Sequence, residues 1–141
     1  MTLPNVAVEP SSVTSTCFLD GFLGVVMLDT QFPRPEGDIG HPSAFGVPTR
    51  RCVIADAWTE KIVQSGSGLR KGRVVTPLLQ LVRRLENDGA KAITTSCGSL
   101  VLLQMEMQAQ VKIPVITSSL LQLPALLTQQ GKVGVLTISS S

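Results

Sequence analysis

The 141-residue chain is poor in aromatic, histidine and cysteine side chains. It contains four Phe, one Trp, one His and three Cys, and it contains no Tyr. So few aromatic rings leave little for stacking on nucleic-acid bases. The 12 basic residues are nearly balanced by 10 acidic ones, so no basic surface for phosphate groups is indicated. We therefore expect no nucleic-acid partner.

The sequence also lacks a hydrophobic run long enough to cross a membrane. The longest such stretch, residues 18–28, is interrupted by Asp20 and is far shorter than the roughly 20 residues that a spanning helix needs. The N-terminus has no basic segment ahead of an apolar one, and Glu9 and two prolines interrupt it, unlike a secretory signal. We expect no membrane partner and a cytoplasmic location.

The three cysteines do not form a recognisable disulfide or zinc pattern. Cys17, Cys52 and Cys97 are an odd number, have no C-x-x-C spacing and are accompanied by a single His. This pattern argues against a disulfide scaffold and against a metal site, and it fits a reducing compartment. A lone intracellular cysteine can instead act as a nucleophile or a base.

What the chain does have is aliphatic residues in alternating strand and helix patterns. Hydrophobic residues make up 43% of it and charged residues 16%, with a mean hydropathy of +0.29. Residues 22–28 form a continuous apolar run, which is typical of a strand covered on both faces. We predict further strands over 49–55, 91–95, 112–117 and 133–138, and helices over 76–88, 99–110 and 119–130. Residues 1–16 are predicted to be an irregular leader.

Strands that alternate with helices over short loops predict an α/β fold. We expect a doubly wound, mainly parallel sheet flanked by helices. In such sheets ligands bind at the carboxyl ends of the strands. The residues that follow the predicted strands are polar and small, and they are Asp29–Thr30, Thr95–Gly98, Thr117–Ser119 and Ser139–Ser141.

Cys97 is the most informative of these residues, because it lies between a predicted strand and a predicted helix. Unpaired backbone N–H groups at a helix start favour negative charge, and such a position suits a reactive thiol. Gly98 allows a ligand to approach the backbone closely, and its N–H can bind a carboxylate. The alternative is that Cys97 is only a small buried hydrophobic residue at a strand end.

The segment around Cys97 resembles a known superfamily. Residues 93–99, with the sequence Ile-Thr-Thr-Ser-Cys-Gly-Ser, look like the first cysteine motif of the aspartate/glutamate racemases, a superfamily that includes hydantoin racemases. Residues 27–42 and 113–122 resemble a subgroup of that superfamily. The resemblance implies a flavodoxin-like racemase domain that works without a cofactor. It would act as a cofactor-independent amino-acid racemase or isomerase on a small, acidic amino acid or related carboxylate.

By that resemblance Cys97 would be a catalytic residue whose thiolate takes the α-proton of the substrate. A base must lie within hydrogen-bond reach of the carbon acid, and donors at helix starts stabilise the developing charge. The residues that would bind the substrate are Asp29, Thr30, Thr95, Ser96, Gly98, Ser99, Thr117 and Ser118.

The chain departs from the racemase pattern at its end. Racemases of this superfamily have two α/β domains, each with one catalytic cysteine. Here residues 17–131 would be the N-terminal domain and residues 132–141 the first strand of a second, missing domain. The second catalytic cysteine would then be absent, and activity of the chain alone would be in question. Cys17 and Cys52 are expected to be structural thiols.

Several alternatives stay open from the sequence. The chain could be a non-catalytic, truncated α/β module that binds a small carboxylate and self-associates, or a cysteine-dependent hydrolase or decarboxylase that needs one thiol. We expect a homo-oligomer, since apolar helix faces would lack a cover. Arg34 could bind a carboxylate and His41 could activate Cys97, or both could be solvated loop residues.

Overall fold

The computed structural model describes residues 8–10, 21–58 and 74–136. Cys17, most of the predicted leader and residues 137–141 lie outside these ranges. The proposed division into a leader, a domain and a final strand therefore stays a prediction.

The described residues form a five-stranded sheet in which four strands are parallel. Strands β1 (Val8–Pro10), β2 (Phe22–Asp29), β3 (Thr49–Trp58), β4 (Ala90–Thr95) and β5 (Val115–Ile116) lie in the order β1-β3-β2-β4-β5. Only β1 is antiparallel to its neighbour. The predicted α/β class is confirmed, and the order of the parallel strands is the one found in flavodoxin-like sheets.

Helix α1 (Val75–Asn87) covers one face of the sheet, as its apolar spacing predicts. Its buried residues, Leu78, Leu81, Val82 and Leu85, share a core with Val26 and Leu28 of β2 and Ile93 of β4. The sequence favours Thr76 as the cap, but the helix begins one residue earlier and its N-cap, Val74, makes no side-chain hydrogen bond. The helix is therefore stabilised by its buried face more than by its cap.

The two later helices are only partly α-helical. Residues Gly98–Leu103 and Ser119–Gln122 are 3₁₀ turns, which continue into α2 (Gln104–Gln108) and α3 (Leu123–Gln130). The sequence pattern predicts a single continuous α-helix in each place. These 3₁₀ segments of six and four residues join the strand ends to the α-helices, which apolar periodicity alone does not reveal.

The outer edge of β5 is occupied by two glutamine side chains of α2. Gln104 donates from Nε2 to the Val115 carbonyl (2.7 Å) and accepts from the Thr117 N–H (3.0 Å). Gln108 accepts from the Val115 N–H (2.9 Å) and donates to the Ile113 carbonyl (3.0 Å). The two amides thus take the place that a further strand would occupy along β5.

The strand predicted over residues 133–138 is wrong for its described part, and the occupied edge of β5 offers it no place in this sheet. Residues 133–136 are not in a strand, and Leu136 is fully exposed. A strand requires a neighbour with unpaired backbone groups, and the groups on the open side of β5 are already bonded to Gln104 and Gln108. Near the other end of the chain, β1 pairs with β3 inside the segment that is predicted to be irregular.

Glu86 joins the end of α1 to the segment before β5. Its Oε1 accepts from the backbone N–H groups of Lys112 (2.7 Å) and Ile113 (3.2 Å).

We expect Glu86→Ala to lower the free energy of unfolding by about 1 kcal/mol, because both N–H groups lose a charged acceptor in a partly exposed position. Glu86→Gln keeps an acceptor and should lose less. Urea denaturation measures both, and an unchanged midpoint for Glu86→Ala would contradict this role.

Several apolar side chains at the β5 side of the molecule are exposed. They include Leu102, Met105, Ile116, Leu121 and Leu127. Self-association through them stays a prediction.

Among the helices of the described ranges, none has the length and apolarity to cross a membrane. The cytoplasmic location stays a prediction.

Candidate functional site

The strand order places a crevice between the carboxyl ends of β2 and β4. After β2, the chain forms β3 on one side of β2 and then crosses over to form β4 on the other side of β2. Ligands of open parallel sheets bind at such a switch point. A hydrogen bond from the Ser96 N–H to the Val26 carbonyl (3.0 Å) holds the end of β4 against β2. The polar ends of these two strands, Asp29–Thr30 and Ser96–Cys97, therefore flank one edge of the sheet.

Cys97 lies directly between β4 and the first 3₁₀ turn. Its backbone is extended (φ −125°, ψ 114°), and its carbonyl accepts from the Leu100 N–H (3.1 Å), which starts the turn. The thiol is half-buried and packs against the core. The predicted position of Cys97 between strand and helix is confirmed, and the thiol is neither in the deep core nor fully exposed.

Gly98 and Ser118 face each other across the ends of β4 and β5. A Cβ placed on Gly98 would lie 3.5 Å from the Ser118 Oγ. The same Oγ accepts a hydrogen bond from the Leu120 N–H (3.1 Å). A hydroxyl has one proton to donate and two lone pairs that accept. Because the Leu120 N–H binds a lone pair of the Ser118 oxygen, the Ser118 proton is free for a different partner. Ser118 is therefore suited to donate toward a ligand near Gly98.

Thr95 and Thr117 direct their hydroxyl groups into the fold. Thr95 is buried, and its one hydroxyl proton is shared between the carbonyls of Thr117 (2.6 Å from Oγ1) and Cys97 (3.1 Å from Oγ1), of which Thr117 is the closer. Thr117 is fully buried, and its Oγ1 donates to Oε1 of Gln104 (2.7 Å). Both side chains thus hold the ends of β4 and β5 together beside Cys97. Their predicted contact with substrate stays a prediction.

The loop after β2 is organised around Arg34. Its guanidinium donates from Nη2 to Oγ1 of Thr30 (2.7 Å) and from Nη1 to Oδ1 of Asp38 (2.9 Å). It also stacks on the Phe32 ring, with Cζ 4.2 Å from the ring centre. A Cβ on Gly40 would lie 3.2 Å from the same Cζ, so glycine allows the loop to close on the guanidinium. Arg34 is therefore held in place by the loop and is only partly exposed to solvent.

Burial raises the pKa of the Asp38 carboxyl, but the Gly40 N–H (2.7 Å) and the Arg34 side chain outweigh it, so this pKa lies below its usual value of 3.8. A lowered carboxyl pKa stabilises the fold at a pH above the pKa of the unfolded chain, and this stability is lost as the pH falls through the pKa of the folded chain.

We expect Asp38→Asn to lower the free energy of unfolding by about 1 kcal/mol at neutral pH, since the pair of Asp38 and Arg34 is partly exposed. Urea denaturation at neutral pH and in acid should show a difference that shrinks as the pH falls through the folded pKa of Asp38. A difference in the free energy of unfolding that is the same at both pH values would contradict this role of Asp38.

The other titratable residues singled out from the sequence have local roles. Cys52 is buried in β3, where burial raises the pKa of its thiol. This agrees with its predicted structural role. His41 accepts at Nδ1 from the Ser43 N–H (3.2 Å), inside the same loop as Arg34. Asp29 accepts from Nε2 of Gln31 (3.2 Å) at the end of β2.

Sequence reasoning missed two parts of this site. Gln104 and Gln108 were not singled out, although their spacing of four residues places both on one face of a helix. The bond between Arg34 and Thr30 has the same spacing, but it lies in an irregular loop where no periodicity predicts it. In the described ranges, no three His, Cys, Asp or Glu side chains come together as a metal site would require.

Fold and geometry together define an α/β protein with a thiol and half-buried hydroxyl groups at the carboxyl ends of parallel strands. Its curated relatives are dimethylsulfoniopropionate lyases. Dimethylsulfoniopropionate lyase 6 of Emiliania huxleyi is 32% identical over 103 residues, which are 73% of this chain and 26% of the relative. The dimethylsulfoniopropionate lyase of Durusdinium sp. clade D is 31% identical over 120 residues, which are 84% of this chain and 39% of the relative. The chain therefore spans about a quarter to two-fifths of the length of these relatives.

Comparisons with protein-family models and with solved structures indicate no other class of protein. No model of a protein family matches the chain, and no solved structure matches it. The Durusdinium match covers 84% of the chain, so it includes Cys97, because the remainder is too short to reach Cys97 from either end.

These relatives correct the functional expectations from the sequence. The assignment to the aspartate/glutamate racemases is wrong, because the similar proteins are named lyases. The racemase activity and the isomerase class are overturned with it, and the non-catalytic module finds no support among relatives named as enzymes. Racemisation and β-elimination both begin when a base removes a proton next to a carboxylate. A thiol at a strand end is suited to that shared step and does not distinguish between the two reactions.

Proposed function

We propose that this chain carries the proton-abstracting part of a lyase site for dimethylsulfoniopropionate or a closely related sulfonio-carboxylate. The observation that carries the proposal is the 31–32% identity with dimethylsulfoniopropionate lyases over a match that includes Cys97. The position of Cys97 at the switch point of the sheet supports it, because that is where ligands of this fold class bind.

The substrate named by the relatives dictates what the site must do. Dimethylsulfoniopropionate carries a carboxylate at one end and a positively charged sulfur on carbon 3. A lyase breaks the carbon–sulfur bond without water or an oxidant. The protons on carbon 2 are acidified by the neighbouring carboxyl group only weakly. The site must therefore supply a base at carbon 2 and donors that stabilise the charge developing on the carboxylate.

Cys97 is the base in this proposal. Its thiolate removes a proton from carbon 2, the released electron pair forms the double bond between carbons 2 and 3, and the bond from carbon 3 to sulfur breaks. Dimethyl sulfide leaves as a neutral molecule, acrylate remains, and the proton ends on the Cys97 sulfur. One thiol suffices for a turnover once that proton returns to solvent, so the reaction needs no second cysteine.

The carboxylate would be held at the ends of β4 and β5. The Gly98 backbone lies beside the Ser118 hydroxyl, whose oxygen accepts from the Leu120 N–H and whose proton is not used in that bond. Asp29, Thr30, Ser96 and Ser99 are the further residues expected at this edge. Thr95 and Thr117 are assigned a supporting role, because their hydroxyl groups are bonded to the fold.

The products of the reaction test this proposal. Purified chain is incubated with dimethylsulfoniopropionate, dimethyl sulfide is measured in the headspace by gas chromatography, and acrylate is measured in solution by proton NMR. We expect both products in equal amounts and at a rate above that of buffer. Absence of dimethyl sulfide would overturn the proposal. Formation of 3-hydroxypropionate in place of acrylate would also overturn it, because that product indicates hydrolysis.

A further inference from the structure

We propose that Arg34 is a positioning residue of this site, which acts by fixing the Thr30 hydroxyl as a donor to the substrate carboxylate. The proposal rests on the proposed function, since it concerns the same crevice. Thr30 directly follows the last residue of β2, the strand that borders the switch point. Arg34 is four residues further along and reaches back to it with a 2.7 Å hydrogen bond.

The direction of this hydrogen bond determines what Thr30 can do. Arg34 has only donors, so Oγ1 of Thr30 must accept. The Thr30 proton therefore points away from the guanidinium and can be given to an acceptor outside the loop. A carboxylate oxygen is such an acceptor. The positive charge on the donor also polarises the hydroxyl, which strengthens the bond that it donates.

The loop holds Arg34 in this one orientation. Asp38 binds Nη1, Phe32 lies under the guanidinium, and Gly40 leaves room for it. Asp38 is itself oriented by the Gly40 N–H. Because Asp38 balances the charge of Arg34, the guanidinium is not itself the main attraction for a carboxylate. Its effect on the substrate passes through Thr30.

Ser118 shows the same arrangement on the other side of Cys97. Its Oγ accepts from a backbone N–H, as Thr30 Oγ1 accepts from Arg34. Thr95 and Thr117 are opposite in this respect, because their hydroxyl groups donate to chain oxygens. Two of the half-buried hydroxyl groups at the strand ends, those of Thr30 and Ser118, thus accept from the chain and keep their protons for a ligand, while the two buried ones serve the fold.

The test uses Arg34→Gln, Arg34→Lys, Thr30→Val and Thr30→Ser in the full chain. Propionate, which has the carboxylate without the sulfonium group, is titrated and followed by NMR, and turnover of dimethylsulfoniopropionate is measured in parallel. We expect Arg34→Gln and Thr30→Val each to weaken propionate binding and to raise KM by about tenfold, with a smaller change in kcat. Arg34→Lys should recover part of the loss, and Thr30→Ser most of it.

The double variant separates positioning from a general loop effect. If Arg34 acts through Thr30, the combination of Thr30→Val with Arg34→Gln binds propionate no more weakly than either single variant. Losses that multiply would overturn the proposal, and so would unchanged binding in Thr30→Val. Thr30→Val and Thr30→Ser leave Arg34 in place, so they test the Thr30 donor by itself, and Arg34→Lys combined with Thr30→Val tests the coupling even if Arg34→Gln does not fold. Wild-type chain that binds propionate without releasing dimethyl sulfide would refute the proposed function and not this inference.

Discussion

Replacing Cys97 by Ser is expected to lower kcat/KM for dimethyl sulfide release by about 10²- to 10⁴-fold, which is the range that a positioned base contributes. A serine hydroxyl has nearly the same size and the same backbone preferences, but it does not ionise near neutral pH. The fold should be little affected, because Cys97 is only half-buried at the margin of the core and its hydrogen bond is made by its backbone carbonyl. Initial rates from headspace gas chromatography measure the effect.

Cys52→Ser is the matched control for this substitution. Cys52 lies in the core of β3, away from the carboxyl end of its strand, so its thiol has no route to the substrate. We expect Cys52→Ser to lower stability and to keep turnover per folded molecule. Equal losses of activity in both variants would contradict the assignment of the base to Cys97. Unchanged turnover in Cys97→Ser would contradict it as well.

Gln104→Leu is expected to lower the free energy of unfolding by about 3 kcal/mol. The substitution removes the donor to the Val115 carbonyl and the acceptor for both the N–H and the hydroxyl of Thr117. These groups are buried, and each buried polar group left without a partner costs about 1–3 kcal/mol. Leucine fills a similar volume, so the loss reports on the hydrogen bonds. Urea denaturation followed by circular dichroism measures it.

Gln80→Leu controls for the apolar replacement. Gln80 lies on the exposed side of α1, so its substitution should change the free energy of unfolding by no more than about 0.5 kcal/mol. The Gln104 variant should also lose turnover, because Thr117 leads directly into Ser118. Equal midpoints for the two variants would show that the glutamine side chain does not hold the edge of β5.

The fold class could be predicted because its signals are local. The apolar run of β2, the spacing of Leu78 and Leu85 in α1 and the turn at Gly89 each reflect one element and its burial. The final strand could not be judged in this way. Its residues have the right composition, but whether they pair depends on an unpaired strand edge elsewhere, and the open edge of β5 is already occupied by the side chains of Gln104 and Gln108.

The site could be located but not interpreted from the sequence. Parallel strands bring their carboxyl ends to one edge, so polar residues after β2, β4 and β5 indicate the crevice without any knowledge of side-chain contacts. The direction in which a hydroxyl donates depends on its partners in space. Thr95 and Ser118 therefore look equivalent in the sequence, although one donates into the fold and the other accepts from it.

The incorrect reaction class has a chemical cause. The segment around Cys97 indicates a base beside a carboxylate, and that base could serve either inversion or elimination. The outcome depends on whether carbon 3 carries a leaving group, which is a property of the substrate. The sequence of the strand end contains no information about it. For the similar proteins, the substrate in their names carries such a leaving group.

The most direct test of the central claim traces deuterium from carbon 2 of the substrate. Dimethylsulfoniopropionate with both hydrogens on carbon 2 replaced by deuterium is turned over by the wild-type chain, and the product and protein are analysed by mass spectrometry. If the Cys97 thiolate acts as a base, the acrylate retains one deuterium on carbon 2 and the protein mass is unchanged. If the thiolate attacks carbon 3 instead, dimethyl sulfide is still released, but Cys97 carries a carboxyethyl group that retains both deuterium atoms. That adduct would contradict the account.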